Sequence, residues 1–96
     1  MTTPNDDNSA EEVVIKSADM AQEMQDQAVA IAKKGLSMYT VESAIAAHVK
    51  REFEDEHGLC WHCVVGKNFG ANVGHHKGNF IYFYIGDTAV LLFKTG

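Results

Sequence analysis

The chain has 96 residues, 46% of them hydrophobic, which suffices for one compact domain and is too short for two. Its formal net charge is −5 and no Lys/Arg run exceeds two residues (Lys33-Lys34, Lys50-Arg51), which disfavours nucleic acid and anionic membrane surfaces as partners, since both demand concentrated positive charge. No apolar stretch approaches the roughly 20 residues that span a bilayer, and two cysteines are too few for a secreted disulfide scaffold, so a reducing cytoplasm is the expected compartment.

Residues 1–12 read as a disordered acidic tail: after Met1 they hold no bulky apolar residue, so they cannot offset the entropy of ordering. The tail resembles neither a signal nor a transit peptide, and Thr2 excludes a myristoylation signal. Residues 13–96 are then the single domain. A domain of this size buries a modest share of its surface, and dimerisation is a common remedy.

Val13-Val14-Ile15-Lys16 is a β-branched run and a first strand. Asp19 and Gln22 have the spacing of a capping box, and Met24, Ala28, Ile31, Ala32 and Leu36 recur on one helical face. A helix is expected over residues 21–38, weakened near its end by Gly35. Thr40 is a candidate N-cap for a second helix, with Glu42 placed where the helix dipole favours an acid. Its apolar stripe runs through Val41, Ala44, Ile45, His48, Val49 and Phe53, and Gly58 ends it.

The remainder reads as strands over 61–66, 69–74, 80–85 and 88–94, with Gly86-Asp87 suited to a two-residue type II′ hairpin. The order β-α-α-β-β-β-β defines an α+β domain. One strand is anomalous. Phe69-Gly70-Ala71-Asn72-Val73-Gly74 contains two Gly and an Asn, poor strand formers that suit an edge, or a strand completed by another chain.

Three constellations invite chemistry. Cys60-Trp61-His62-Cys63 is a C-x-x-C, but it leaves a helix and enters a strand, whereas a redox motif opens a helix whose N-terminus lowers the thiol pKa. His57, His62, His75 and His76 lie near it, but no second C-x-x-C or H-x₃-H pair completes a zinc set. A metal- or thiol-dependent regulator using Cys60, Cys63 and these histidines is the alternative from another class. The aromatic run Phe80–Tyr84 would suit base stacking on an RNA-binding sheet, but the chain lacks a basic rim. No G-x-S-x-G, phosphate-cradling Gly loop or H-E-x-x-H is present, so no enzymatic activity and no cofactor are expected.

The stretch Trp61-His62-Cys63-Val64-Val65-Gly66-Lys67-Asn68-Phe69-Gly70 resembles the central signature of the small dimeric dynein light chains. Phe80–Tyr84 and Ala89–Gly96 resemble that family's last two strands, Val14–Met20 its first strand and helix entry, and Ile45–Phe53 its second helix. The resemblance implies two helices packed on an antiparallel sheet completed by a strand swapped from the partner of a homodimer. The strand that crosses corresponds to Phe69–Gly74. Two grooves at the dimer interface would each accept an extended segment as an added strand, so that the protein is a hub that promotes client dimerisation. Dynein intermediate chain, or other proteins with disordered Gln-containing segments, would be its partners, and the setting would be cytoplasmic and microtubule-associated.

Carried over residue by residue, Lys67, Asn68, Phe69, Gly70, Ala71, Asn72, Val73, Gly74 and His75 line the groove. Glu42, beside Ser43, receives the client glutamine, and Phe80, Tyr82 and Tyr84 form the groove floor. His62, Phe69, Val73 and Thr95 lie at the dimer interface, with Thr95 a candidate phosphorylation site. The departures cluster in the groove: Asn72 replaces Tyr, Gly74 Thr, Ala71 Ser, His76 Glu, Lys67 Arg, and Ser43 a Lys. Gly74 removes a side-chain hydrogen bond worth about 0.5–1.5 kcal/mol, so a shifted client preference is expected. His62, if neutral and poorly solvated between protomers, would favour monomers once protonated.

Overall fold

The computed structural model describes residues 12–67 and 79–95. In chain order these form strand β1 (Val13–Asp19), helices α1 (Gln22–Met38) and α2 (Glu42–His57), and strands β2 (Trp61–Lys67), β3 (Phe80–Ile85) and β4 (Thr88–Lys94). The strands make one antiparallel sheet in the order β1-β3-β4-β2, with both helices on one face. The expected α+β layering is therefore present. The expected strand over residues 69–74 lies outside the described residues, as does most of the tail.

Both helices exist because each carries one buried stripe. On α1 this is Ala28, Ala32 and Gly35; on α2 it is Ile45, His48, Val49 and Phe53. Small residues on α1 let the two helices approach closely. At Gly35 an added Cβ would stand 3.0 Å from the Cδ2 atom of His48. That glycine, read from sequence as a weak point of the helix, is a packing requirement.

The expected caps are corrected. Asp19 is the last residue of β1, paired with Phe80, so its side chain serves a strand end and not a helix start. Ala21 precedes α1 with no side-chain cap, and Gln22 Nε2 donates instead to Asp26 Oδ1 at 2.9 Å. Helix α2 is entered from Val41 and not Thr40: the amides of Ala44 and Ile45 both donate to the Val41 carbonyl. It too lacks a side-chain cap. Glu42 does occupy its first turn, and Gly58 does close it, at φ +83° with its N–H donating to Glu54 O. Gly86, at φ +61°, turns β3 into β4 with Ile85 opposite Thr88.

The sheet separates two apolar clusters by strand alternation. Towards the helices point Trp61 and Val65 of β2, Ile81, Phe83 and Ile85 of β3, and Val90 and Leu92 of β4, packed on Ile45, Val49 and Phe53. Phe53 and Trp61 meet edge to face with centroids 4.8 Å apart, closing the C-terminal end of α2 on the start of β2. On the opposite face Phe80, Tyr82, Ala89 and Leu91 form a second cluster with Tyr84 and Phe93. β3 is thus apolar on both sides, which explains its unbroken sequence FIYFYI.

The two margins of the sheet differ. β1 has a register irregularity between Ile15 and Ser17, which sets Lys16 outside the regular pairing. β2 pairs without interruption along β4, from Trp61 opposite Lys94 to Lys67 opposite Thr88. Among the described residues nothing pairs with the far side of β2.

Candidate functional site: a cleft beside an open sheet edge

Helix α2 crosses beside β2, and between them lies a cleft of about 530 Å³. From the helix it is lined by Glu42, Ser43, Ala46, Ala47 and Lys50, and from the strand by Cys63, Val64 and Val65. The helical residues are a second stripe at i, i+3, i+4 and i+7, beside the buried one. Their side chains are small at Ser43, Ala46 and Ala47, which leaves room against the strand. The first amides of an α-helix have no intrahelical acceptor. With no side-chain cap on α2, the N–H groups of its first turn have no side-chain acceptor at the helix end that carries Glu42.

The two lysines of the region are committed to carboxylates. Lys50 Nζ lies 2.8 Å from Glu54 Oε2, which also accepts the backbone N–H of Trp61 at 3.1 Å. The Lys50 hydrogen bond, chiefly, holds the Glu54 carboxyl below its ordinary range, opposed by some desolvation. This carboxylate therefore ties the last turns of α2 to the first residue of β2. Lys67 Nζ lies 3.2 Å from Asp87 Oδ1 and 3.4 Å from Thr88 Oγ1. Both members of that pair are well exposed, so it contributes little to stability.

On the second face of the sheet, Tyr82 donates its hydroxyl to Tyr84 Oη at 3.2 Å, and the Lys16 ammonium sits 5.5 Å from the centre of the Tyr84 ring. Donating to Tyr84 raises the Tyr82 phenol to about 12, with desolvation adding to it. His62 stacks on Phe93, centroids 5.4 Å apart, with its Nε2 3.0 Å from Thr95 Oγ1.

Of the residues expected to line a groove, Glu42 and Ser43 share the cleft with β2, and Lys67 stands beside a neighbouring hollow with Glu42. Phe80, Tyr82 and Tyr84 gather on the second face, apart from that cleft. His62 and Thr95, both expected at an interface, touch each other. Asn68, Phe69, Gly70, Ala71, Asn72, Val73, Gly74 and His75 lie outside the described residues. Sequence reading missed Ala46, Ala47, Lys50 and Val64. Their signal was the stripe of small residues on α2 beside the apolar one.

The two thiols of Cys60-x-x-Cys63 differ in their settings. Cys60 is exposed, whereas burial pushes the Cys63 thiol up to about 12, the reverse of what a nucleophilic thiolate needs.

A two-helix, four-strand domain with a receptive strand margin beside a helix-lined cleft belongs to the class of protein-binding modules. Residues 12–95 match the model of the family described as dynein light chain type 1, and the chain belongs to that family. Solved structures agree on the fold. The dynein light chain-like domain of the calcium binding protein FhCaBP2 of Fasciola hepatica superposes with a TM-score of 0.81 at 17% identity, covering 93% of this chain and 96% of that one. The DLC-like domain of CsTAL3 gives a TM-score of 0.73 at 17% identity, with 86% and 92% covered.

Proposed function

We propose that the chain is a non-enzymatic dimeric hub that binds extended segments of other proteins by strand addition. The observation that carries this reading is the margin of β2: seven residues paired on one side by β4 and, among the described residues, unpaired on the other, with the α2 cleft directly beside it. An exposed strand margin offers a row of backbone donors and acceptors that another chain can take up. A strand of the partner subunit, residues 69–74, occupies this margin, and the client adds next to it. The second apolar face, with Phe80, Tyr82, Leu91 and Phe93, packs against its counterpart in the dimer.

Glu42 and the uncapped amides of α2 together suit one side-chain chemistry. The carboxylate requires a donor and the amides require an acceptor, and a carboxamide supplies both. A client Gln at this point fits the reading. Two clients held side by side gain through effective concentration, so dimeric clients are favoured. Dynein intermediate chain is one such partner, which places the protein in the cytoplasm with microtubule motors.

Pull-down with peptide mapping tests the reading. Recovered segments should be extended and Gln-containing, and Val73→Pro should abolish their capture by removing a backbone donor. Unchanged capture by Val73→Pro would refute strand addition there.

A further inference from the structure

Helix α1 carries a second stripe beside its buried one. Gln22, Gln25, Asp26, Val29, Ala30 and Lys33 follow at i, i+3, i+4, i+7, i+8 and i+11, which places them on one face. Val13 and Ile15 of β1 stand opposite, and the two elements enclose a groove of about 360 Å³. Its middle is apolar: Val13 and Val29 are half-buried, and Ile15 and Ala30 are exposed. Charges flank that middle. Asp26 and Lys33 lie two turns apart, about 10 Å along the helix, with Val29 and Ala30 between them. Asp26 accepts a hydrogen bond from Gln22 Nε2, yet among the described residues neither Asp26 nor Lys33 forms an ion pair.

We infer that this groove docks a short amphipathic helix of another protein, antiparallel to α1. The partner sets an acid opposite Lys33, two aliphatic side chains over Ile15, Val29 and Ala30, and a cation opposite Asp26, seven residues after the acid. An added strand is the poorer occupant, because the β1 margin is irregular at Lys16 and offers a broken row of backbone partners. The lining is instead a straight helical ridge of three turns, and the small side chain of Ala30 lets a second helix come close. The charges fix its direction. Antiparallel docking puts the partner's acid towards its own N-terminus and its cation towards its C-terminus, where the helix dipole favours each. The groove borders β1, the margin opposite β2, so a helical partner there would leave the strand-adding side free. The inference goes beyond the strand-addition reading and does not depend on it.

The probe is a labelled Ala-rich peptide of about 18 residues, long enough to be helical alone, with Glu, Leu, Leu and Lys at i, i+3, i+4 and i+7. Its affinity for the purified full-length chain is read by fluorescence anisotropy. A second peptide, with Lys first and Glu last, should bind about tenfold more weakly, the worth of two exposed ion pairs. The double variant Asp26→Lys with Lys33→Glu should invert that preference. Ala30→Glu, at an exposed position, should abolish binding of both peptides while leaving the circular dichroism of the chain unchanged. The docking site is refuted if neither peptide binds, if both bind equally, if the preference survives the charge exchange, or if Ala30→Glu leaves binding intact. Binding that persists when a central Pro breaks the peptide helix would assign the groove to an extended segment and overturn the helical partner.

Discussion

His62 and Thr95, 33 residues apart in sequence, meet at 3.0 Å between imidazole Nε2 and hydroxyl Oγ1. The strand pairing that sets His62 opposite Phe93 brings this about, and the ring stacks on that phenylalanine. Both groups therefore stand at one corner of the second sheet face, beside Phe93, where in the proposed dimer an added charge would enter an apolar contact between protomers. His62→Lys and Thr95→Glu should each shift sedimentation from dimer towards monomer at micromolar concentration. A His62→Lys protein that sediments wholly as dimer would remove this corner from the interface.

Gly35 and His48 form a tighter constraint. Ala has the higher helix propensity by about 1 kcal/mol, but its Cβ would stand 3.0 Å from the His48 ring. Gly35→Ala should therefore lower the urea midpoint. In a His48→Ala background the same change should raise it, since the obstructing ring is gone. Chemical denaturation of the four proteins in this cycle decides the matter.

The Cys63 thiol has a stated pH consequence. Its value is raised from 9.0 to about 12 by burial, so the folded chain keeps a proton that the unfolded chain releases. The stabilisation is fully present below pH 9 and is lost as pH rises through about 12. Thermal unfolding should show the loss on the alkaline limb, and Cys63→Ala should flatten it. At pH 8 a thiol reagent should modify Cys60 in the native protein and reach Cys63 only after denaturant is added.

Tyr82 titrates in the same direction for a different reason, the hydroxyl bond to Tyr84. Tyr84→Phe should bring the Tyr82 midpoint down from about 12 towards 10.0, followed by phenolate absorbance. An unchanged midpoint would assign the shift to burial.

Phe53 fills the angle between α2 and β2, fully buried against Trp61 and His57. Phe53→Ala should cost about 3–5 kcal/mol, measured by denaturant unfolding. Glu54→Gln should cost less, because it keeps an oxygen to accept from Trp61 and loses only the ionic part of the Lys50 contact.

Much of this fold was legible because its periodicities are strong. The stripe of Ala28 and Ala32 and the run Phe80–Ile85 announced their elements without ambiguity, and Gly58 and Gly86 stand where backbone of positive φ is needed. The caps were misread because Asp19 and Thr40 have capping chemistry in a local pattern, while tertiary pairing claimed Asp19 for β1 and Val41 took the turn before α2. Glu42 could be found as a helix-start acid. The rest of the cleft could not, since Ala46 and Ala47 are read as helix formers and acquire meaning only when β2 passes beside them.

The irregularity at Lys16 has an architectural consequence. A sheet with two equally receptive sides can recruit copies indefinitely and grow into a fibre. Here one flank carries a lysine at an irregularity of register, and the other pairs along β4 without interruption. On the proposed reading, growth by edge pairing is then confined to the β2 side, and a dimer that takes up that margin would not extend into a fibre.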